Sequence, residues 1–235
     1  MAKPIIRTGH INLFAQSDVT CYIIRGQDGD LLVDTGFYMN RSSILKWIAD
    51  YGVKRIFLTH AHPDHDWNAA AIARKTGAEI LLHEADGTLI RNFRSQPVQP
   101  TAARWRLRNL TQNIGGALVK TPAYTPDILF GDADGGLLKQ LGFDAEIVPL
   151  PGHTRGSSGI LCGDVLYCGD AFTAIFGKPD ITPHAADPSA MNASLQKILE
   201  IRPEWLACGH GFPVRMRDAE PVIRAYLREK GASEV

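Results

Sequence analysis

The segment His60-Ala61-His62-Pro63-Asp64-His65 decides the fold of this chain, because it places four potential metal ligands within six residues. Imidazole nitrogens and carboxylate oxygens are ligands that suit zinc, iron or manganese. The preceding run, residues 53–59, predicts a buried strand, and the following run, residues 67–74, predicts a helix. We therefore expect the ligands on a strand-to-helix connection, where a rigid scaffold can hold functional side chains in place.

Three more candidate ligands follow predicted strands in the second half of the chain, namely His153, Asp170 and His210. A glycine directly precedes each of them, and glycine lets the backbone turn sharply out of a strand. Because ligands at strand ends can be aimed at one point, we expect these three side chains to complete the site that begins at His60.

Hydrophobic periodicity and turn residues predict two sets of strands, each followed by helices. The predicted strands are residues 20–24, 31–33, 53–59, 79–83, 145–150, 159–162, 165–168 and 205–208. The predicted helices are residues 42–49, 66–75, 188–201 and 219–230. Residues 85–135 contain several prolines and predict one or two helices and a long loop over the site. We expect one domain over residues 1–235, with 85–135 as an insertion.

Composition excludes several classes of protein. With 235 residues, 45% hydrophobic and 21% charged, the chain is typical of a soluble globular protein. Basic and acidic residues number 25 each, which argues against a broad nucleic-acid surface but leaves a local basic patch open. No apolar run is long enough to cross a membrane, and no secretory signal is evident. The cysteines form no paired motif, so we expect reduced thiols and a cytoplasmic location.

The chain resembles the metallo-β-lactamase-fold superfamily, and its glyoxalase II-like and lactonase-like branches in particular. The resemblance follows the chain in order through residues 31–36, the 60–65 segment, Gly152-His153-Thr154, Gly169-Asp170 and Gly209-His210-Gly211. It implies an α+β fold, a four-layer αββα sandwich of two mixed β-sheets flanked by helices, with metals at one edge.

The resemblance also implies two metal sites. His60, His62 and His153 are expected to hold one ion. Asp64, His65 and His210 are expected to hold the other, with Asp170 bridging the two. Zinc is the first expectation for both divalent ions, with iron or manganese as alternatives. The resemblance implies that Asp34 supports the ligands through hydrogen bonds.

The implied activity is hydrolysis of an ester, thioester or lactone bond of a small molecule. The nucleophile is a hydroxide shared by two metal ions, with Asp64 and Asp170 as the catalytic carboxylates. A second hypothesis is a persulfide dioxygenase with one iron, whose ligands would be His60, His153 and Asp170. A third is a metal-binding protein without activity.

Differences between this sequence and the family pattern count against individual branches of the superfamily. Flavodiiron-type members carry an acid where His62 stands, and true β-lactamases generally lack an acid at Asp170. Glyoxalase II enzymes normally carry a helical domain after the last histidine, whereas 25 residues follow His210 here. Lactonase-like members often have tyrosine at the position of Thr173. The substrate class therefore stays open.

The substrate is expected to meet Phe172, Ile175 and Phe176, which follow Asp170, and His184 in a nearby loop. Core packing is the alternative for the aromatic residues. Arginines between 91 and 108 are candidates to bind a carboxylate or phosphate, or else form a solvated face. We expect a small-molecule substrate and neither nucleic acid nor membrane as a partner. The oligomeric state stays open, with a homodimer as one alternative.

Overall fold

A computed structural model of the protein describes residues 19–107, 109–110 and 121–231. Two five-stranded mixed sheets form its centre. The strands are β1 (Tyr22–Arg25), β2 (Asp30–Val33), β3 (Val53–Phe57), β4 (Glu79–His83), β5 (Gln99–Pro100), β6 (Ile128–Phe130), β7 (Glu146–Pro149), β8 (Ser158–Cys162), β9 (Val165–Gly169), β10 (His184–Ala185), β11 (Trp205–Cys208) and β12 (Val214–Arg215). The α-helices are α1 (Arg41–Trp47), α2 (Pro63–Asp66), α3 (Ala69–Thr76), α4 (Leu137–Gln140), α5 (Pro188–Ile201) and α6 (Met216–Glu229).

The first sheet has the strand order β1-β2-β3-β4-β6, and every pair from β2 onward is parallel. The second sheet has the order β12-β11-β9-β8-β7, and its β9–β11 pair is parallel. Strands β5 and β10 form a separate antiparallel pair. Parallel neighbours end at the same edge of a sheet, so β9 and β11 deliver the residues that follow them to a common edge of the second sheet.

Successive side chains of a strand point to opposite faces of the sheet, and this alternation produces the layers. In β1, Tyr22 and Ile24 lie in the core between the sheets, whereas Ile23 lies in the core beneath α1 and α3. In β9, Tyr167 likewise lies between the sheets and Leu166 lies beneath α5 and α6. Because both faces of each sheet are covered, these strands carry almost continuous apolar runs. The layer order is helix, sheet, sheet, helix.

The two sheets are joined across the central core by aromatic contacts. The rings of Tyr22 and Tyr167 meet edge to face at 5.2 Å, and the Tyr22 hydroxyl donates a 2.7 Å hydrogen bond to the Cys208 carbonyl. Within the first sheet, Phe57 of β3 stacks on Phe130 of β6 with ring centres 5.3 Å apart. The Tyr22 contacts fix the relative position of the sheet edges that carry the candidate ligands.

Some sequence expectations are wrong in detail. The helix expected over 66–75 is two helices, α2 and α3, separated at Trp67 and Asn68. The Asn68 amide breaks the helix by donating to the carbonyls of residues 35, 36 and 37. The last part of the segment 85–135 is a strand, β6, of the first sheet rather than helix or loop. Other predicted elements differ from the structure by up to three residues at their ends.

Residues 108 and 111–120 of the insertion, and the N-terminal residues 1–18, lie outside the described residues. All four cysteines are free, three of them buried and Cys162 half-buried. In the described part of the chain, no helix combines the length and apolar character that a bilayer crossing requires.

Candidate metal centre

The seven candidate ligands meet at one edge of the sandwich. His60, His62, Asp64 and His65 follow β3, and the last two lie on the short helix α2. The other three follow strands of the second sheet. His153 lies four residues after β7, Asp170 directly follows β9, and His210 lies two residues after β11. Four separate chain segments thus converge, as the sequence leads us to expect.

Their donor atoms form three overlapping groups. These are His60, His62 and His153; then His60, His65 and Asp170; and finally Asp64, His65 and His210. Within each group the donor atoms lie within 4.8 Å of one another. The first and third groups are the two sets expected from the sequence, and the middle group joins them.

Asp170 lies between the two sets. Its Oδ2 is 3.4 Å from His153 Nε2 and 3.2 Å from His210 Nε2, and its Oδ1 is 3.5 Å from His65 Nε2. Within the sets, His62 Nδ1 is 2.9 Å from His153 Nε2, and Asp64 Oδ2 is 3.4 Å from His210 Nε2. The Asp170 carboxylate therefore lies where it can contact both sets of candidate ligands.

Divalent ions fit this donor set. His60 Nε2, His65 Nε2 and Asp170 Oδ1 are buried and have no hydrogen-bond partner among the described residues. Leaving such atoms unsatisfied costs about 1–3 kcal/mol each, and a shared cation would satisfy them. Nitrogen and carboxylate donors without thiolates suit zinc, iron or manganese.

Asp34 holds one ligand in place through a carboxylate that is 1% exposed. Its Oδ2 accepts hydrogen bonds from His65 Nδ1 at 2.8 Å and from the Thr59 hydroxyl at 2.9 Å, while its Oδ1 accepts from the Thr59 amide at 2.8 Å. The His65 contact leaves Nε2 of that ring directed at Asp170. Asp34 has a left-handed backbone with φ of 58°, which is uncommon for a residue with a side chain.

The imidazoles of His153 and His60 are oriented in the same way. His153 Nδ1 lies 2.9 Å from the His184 carbonyl, and His60 Nδ1 lies 3.0 Å from the Thr59 hydroxyl. With Nδ1 held by a neighbour, Nε2 of each ring is left for a metal ion. His184 is itself buried in β10, and its Nδ1 lies 3.1 Å from Asn109 Oδ1 of the insertion.

Burial and neighbouring charges shift the pKa values of the metal-free cluster. Burial and neighbouring imidazoles lower the pKa values of His60 and His62 well below the usual range. Burial also lowers the pKa of His65, but the carboxylates of Asp34, Asp170 and Asp64 outweigh burial and raise it to about 9.

The two carboxylates of the cluster shift in the opposite direction. Burial raises the pKa of Asp170, but His210, His65 and His153 outweigh it and bring the pKa well below the usual range. Burial likewise raises the pKa of Asp64, and the imidazoles of His65 and His210 lower it further than burial raises it. Both carboxylates are therefore ionised at neutral pH, as metal ligands must be.

Asp86 is a structural residue of the site that sequence reasoning missed. It is fully buried just after β4 and accepts four hydrogen bonds. The donors are the Thr154 hydroxyl at 2.7 Å, the Gly156 amide at 2.9 Å, the Gln96 side chain at 3.0 Å and the Ala61 amide at 3.2 Å. One carboxylate therefore connects the loop of His60, the loop of His153 and the insertion. Its sequence signal is weak, because it is only an acid three residues after a predicted strand.

Gly209 is required by the close approach of two ligands. A Cβ at this position would lie 2.8 Å from His65 Cε1 and would also collide with the Asp170 carboxylate. Only glycine therefore lets β11 pass beside β9 and deliver His210 to the cluster.

A cavity of about 50 Å³ opens at the cluster. Its walls are formed by five of the candidate ligands, His62, Asp64, His153, Asp170 and His210. The other wall residues lie in the chain from the end of β9 to β10: Thr173, Ile175, Thr182, Pro183 and His184. His184 thus lies where the sequence leads us to expect it.

The expectation for the two phenylalanines needs correction. Phe172 is fully buried in the core beneath α5 and α6, because its side chain leaves the chain on the side opposite Asp170. Phe176 is 73% exposed, with a left-handed φ of 55°, and lies outside the cavity wall. The apolar side of the cavity is formed by Ile175 instead.

Comparison with known proteins agrees with the geometry. The family model of the metallo-beta-lactamase superfamily matches residues 16–210. The hydroxyacylglutathione hydrolase GloC of Haemophilus influenzae is 31% identical over 172 residues, which cover 69% of this chain and 70% of GloC.

Solved structures share the fold. The archaeal superfamily protein ST1585 from Sulfolobus tokodaii has a TM-score of 0.66 at 18% identity, over 92% of this chain and 81% of that one. TTHA1623, solved in a di-iron-bound form, has a TM-score of 0.64 at 22% identity, over 94% of this chain and 98% of that one. The expected αββα sandwich is confirmed.

Proposed function

Since the chain belongs to the metallo-beta-lactamase superfamily, we propose that it is a hydrolase that uses two divalent metal ions to cleave an ester, thioester or lactone bond of a small molecule. The observation that carries this proposal is the overlap of the three donor groups, in which His60, His65 and Asp170 connect two complete ligand sets. When bound, two such ions supply a hydroxide nucleophile at neutral pH and polarise the carbonyl that it attacks.

The residues of the chain have separate roles in this proposal. His60, His62 and His153 hold one ion, and Asp64 and His210 hold the other together with His65. Asp170 lies between the two sets and would contribute its carboxylate to both, since a carboxylate must be ionised to act as a metal ligand. Asp34 and the His184 carbonyl keep the imidazoles aimed at the ions.

A thioester is our first choice among the three bonds. The name of GloC states that this relative, at 31% identity, hydrolyses a hydroxyacylglutathione. Zinc is our first choice of metal, and the di-iron form of TTHA1623 keeps iron as the alternative to test.

The proposal is tested on protein purified without added metal. We expect bound divalent metal and turnover within a panel of thioesters, lactones and phosphoesters. His62→Ala and Asp170→Ala should each lose metal and turnover while the protein stays folded. Asp132→Ala, which removes an exposed carboxylate away from the cluster, serves as the matched control and should keep both.

Two results would overturn the proposal. The first is full activity with normal metal content in either ligand variant. The second is oxygen uptake on a glutathione persulfide with a single tightly bound iron, because that result would identify the dioxygenase alternative.

A further inference from the structure

A second cavity, of about 320 Å³, lies beside the metal centre. It is formed by the start of α2, the insertion after β4 and the chain before β6: Pro63, Leu89, Ile90, Arg91, Phe93, Thr121 and Ala123. Leu89, Ile90 and Phe93 are buried, whereas Arg91 and Ala123 are exposed. The cavity therefore has an apolar interior and one positive charge at its solvent side.

The wall between this cavity and the metal centre is thin. Pro63 stands between the candidate ligands His62 and Asp64 in the chain. The Phe93 ring lies 5.1 Å from the His62 imidazole, with an angle of 36° between the rings. Side chains of the second cavity are thus in direct contact with a ligand of the first ion.

The cavity at the cluster is too small to hold a whole substrate. Its volume of about 50 Å³ accommodates the reacting bond and a water molecule, whereas pockets for small organic ligands usually measure about 300–1,000 Å³. The neighbouring cavity offers a larger volume on the far side of His62 and Phe93.

Arg91 has a free charge within the part of the chain that the structure describes. Several other arginines there form ion pairs, such as Arg104 with Asp180 at 2.8 Å and Arg25 with Asp30 at 2.9 Å. No described carboxylate forms an ion pair with Arg91, although its side chain lines the cavity. A guanidinium is always charged and binds carboxylates in a two-pronged geometry.

We propose that this cavity binds the part of the substrate remote from the scissile bond, and that Arg91 binds a carboxylate there. The inference rests on the proposed hydrolase function and specifies its substrate class. That class is a small ester or thioester in which a short apolar chain separates the reacting carbonyl from a terminal carboxylate.

The kinetic test uses two esters of equal chain length, 4-nitrophenyl pentanoate and mono(4-nitrophenyl) glutarate. The glutarate has a carboxylate where the pentanoate has its terminal methyl. Metal-loaded wild-type protein should have the higher kcat/KM for the glutarate. Arg91→Gln should reduce the ratio of the two kcat/KM values about 10-fold, the loss of one charged hydrogen-bonded contact. Arg94→Gln, a neighbouring exposed arginine outside the cavity, should leave the ratio unchanged. An equal ratio in wild type and Arg91→Gln would overturn the inference.

A binding measurement separates this inference from the hydrolase proposal. Glutarate monoanilide carries the same carboxylate on an amide that resists hydrolysis, and its Kd can be measured by calorimetry on the metal-loaded protein. We expect Arg91→Gln to weaken binding about 10-fold and Arg94→Gln to leave it unchanged. No saturable binding to the wild type, or equal loss in both variants, would overturn the inference. Binding that depends on Arg91 without hydrolysis of either ester would support the cavity and count against the hydrolase.

Discussion

The Asp86 carboxylate accepts a 2.7 Å hydrogen bond from the Thr154 hydroxyl, and through it the turn after β4 fixes the loop that presents His153. The same carboxylate accepts from the Ala61 amide, between His60 and His62. Two ligand segments that are far apart in the chain are thus held by one buried charge. The geometry of the first ion's ligands depends on a residue that is not itself a ligand.

Asp86→Asn should therefore destabilise the protein. An asparagine has one acceptor oxygen and turns an NH₂ group toward the remaining donors, so at least two of the four hydrogen bonds are lost. We expect the free energy of unfolding to fall by about 2–4 kcal/mol, measured by urea denaturation. Asp132→Asn, at an exposed carboxylate, is the control and should change it by less than about 0.5 kcal/mol. An unchanged midpoint for Asp86→Asn would exclude this role.

Asp34→Asn should weaken metal binding without unfolding the chain. Asparagine tolerates the left-handed backbone at this position, but its amide is a weaker acceptor for the His65 ring than a carboxylate. Loss of such a supporting contact typically lowers metal affinity about 10–100-fold, which competition with a chelator measures. Asp50→Asn, on the exposed turn before β3, should have wild-type affinity. The same affinity in both variants would show that Asp34 does not support the site.

Gly209→Ala should disrupt the cluster by steric contact alone. The added methyl would meet the Asp170 carboxylate and His65 Cε1, so one of these ligands has to move. A displacement of about 1 Å can reduce turnover on the order of 100-fold, and kcat/KM with metal content measures the effect. Gly52→Ala adds a methyl with no atom within 4 Å and serves as the control. Normal turnover in Gly209→Ala would contradict the close approach described here.

Metal binding should release protons from the cluster. In the metal-free protein the pKa of His65 is about 9, so its ring is protonated at neutral pH and must lose a proton to become a ligand. The number of protons released should therefore fall by about one as the pH rises through 9. Calorimetric titration of metal in buffers with different ionisation enthalpies measures this number. A release that does not change across that range would show that the His65 ring is not protonated in the metal-free protein at neutral pH.

The sequence predicts the candidate metal ligands better than it predicts the residues that support them. The ligands end strands that have strong apolar patterns, so both their order and their convergence could be inferred before the fold was known. Asp34 was implied by the resemblance, and the structure places it 2.8 Å from His65 Nδ1. Asp86 had no such signal, because three of its four donors are 25 to 70 residues away in the chain.

The sequence predictions that failed did so for identifiable physical reasons. Strand β6 is three residues long, Ile128–Phe130, and an apolar run this short does not predict a strand. The helix after the ligands is broken because Asn68 bonds to the loop after β2, a tertiary contact that local propensity cannot reveal. Phe172 follows the Asp170 ligand in the chain, yet its side chain points into the core beneath α5 and α6.

The central proposal is a two-ion centre that performs hydrolysis, and the metal content per chain tests it most directly when thioester hydrolysis and oxygen uptake are measured on the same sample. We expect two divalent ions per chain, hydrolysis that a chelator abolishes and added metal restores, and no oxygen uptake. One tightly bound iron per chain, with oxygen uptake on a glutathione persulfide and no hydrolysis, would contradict it.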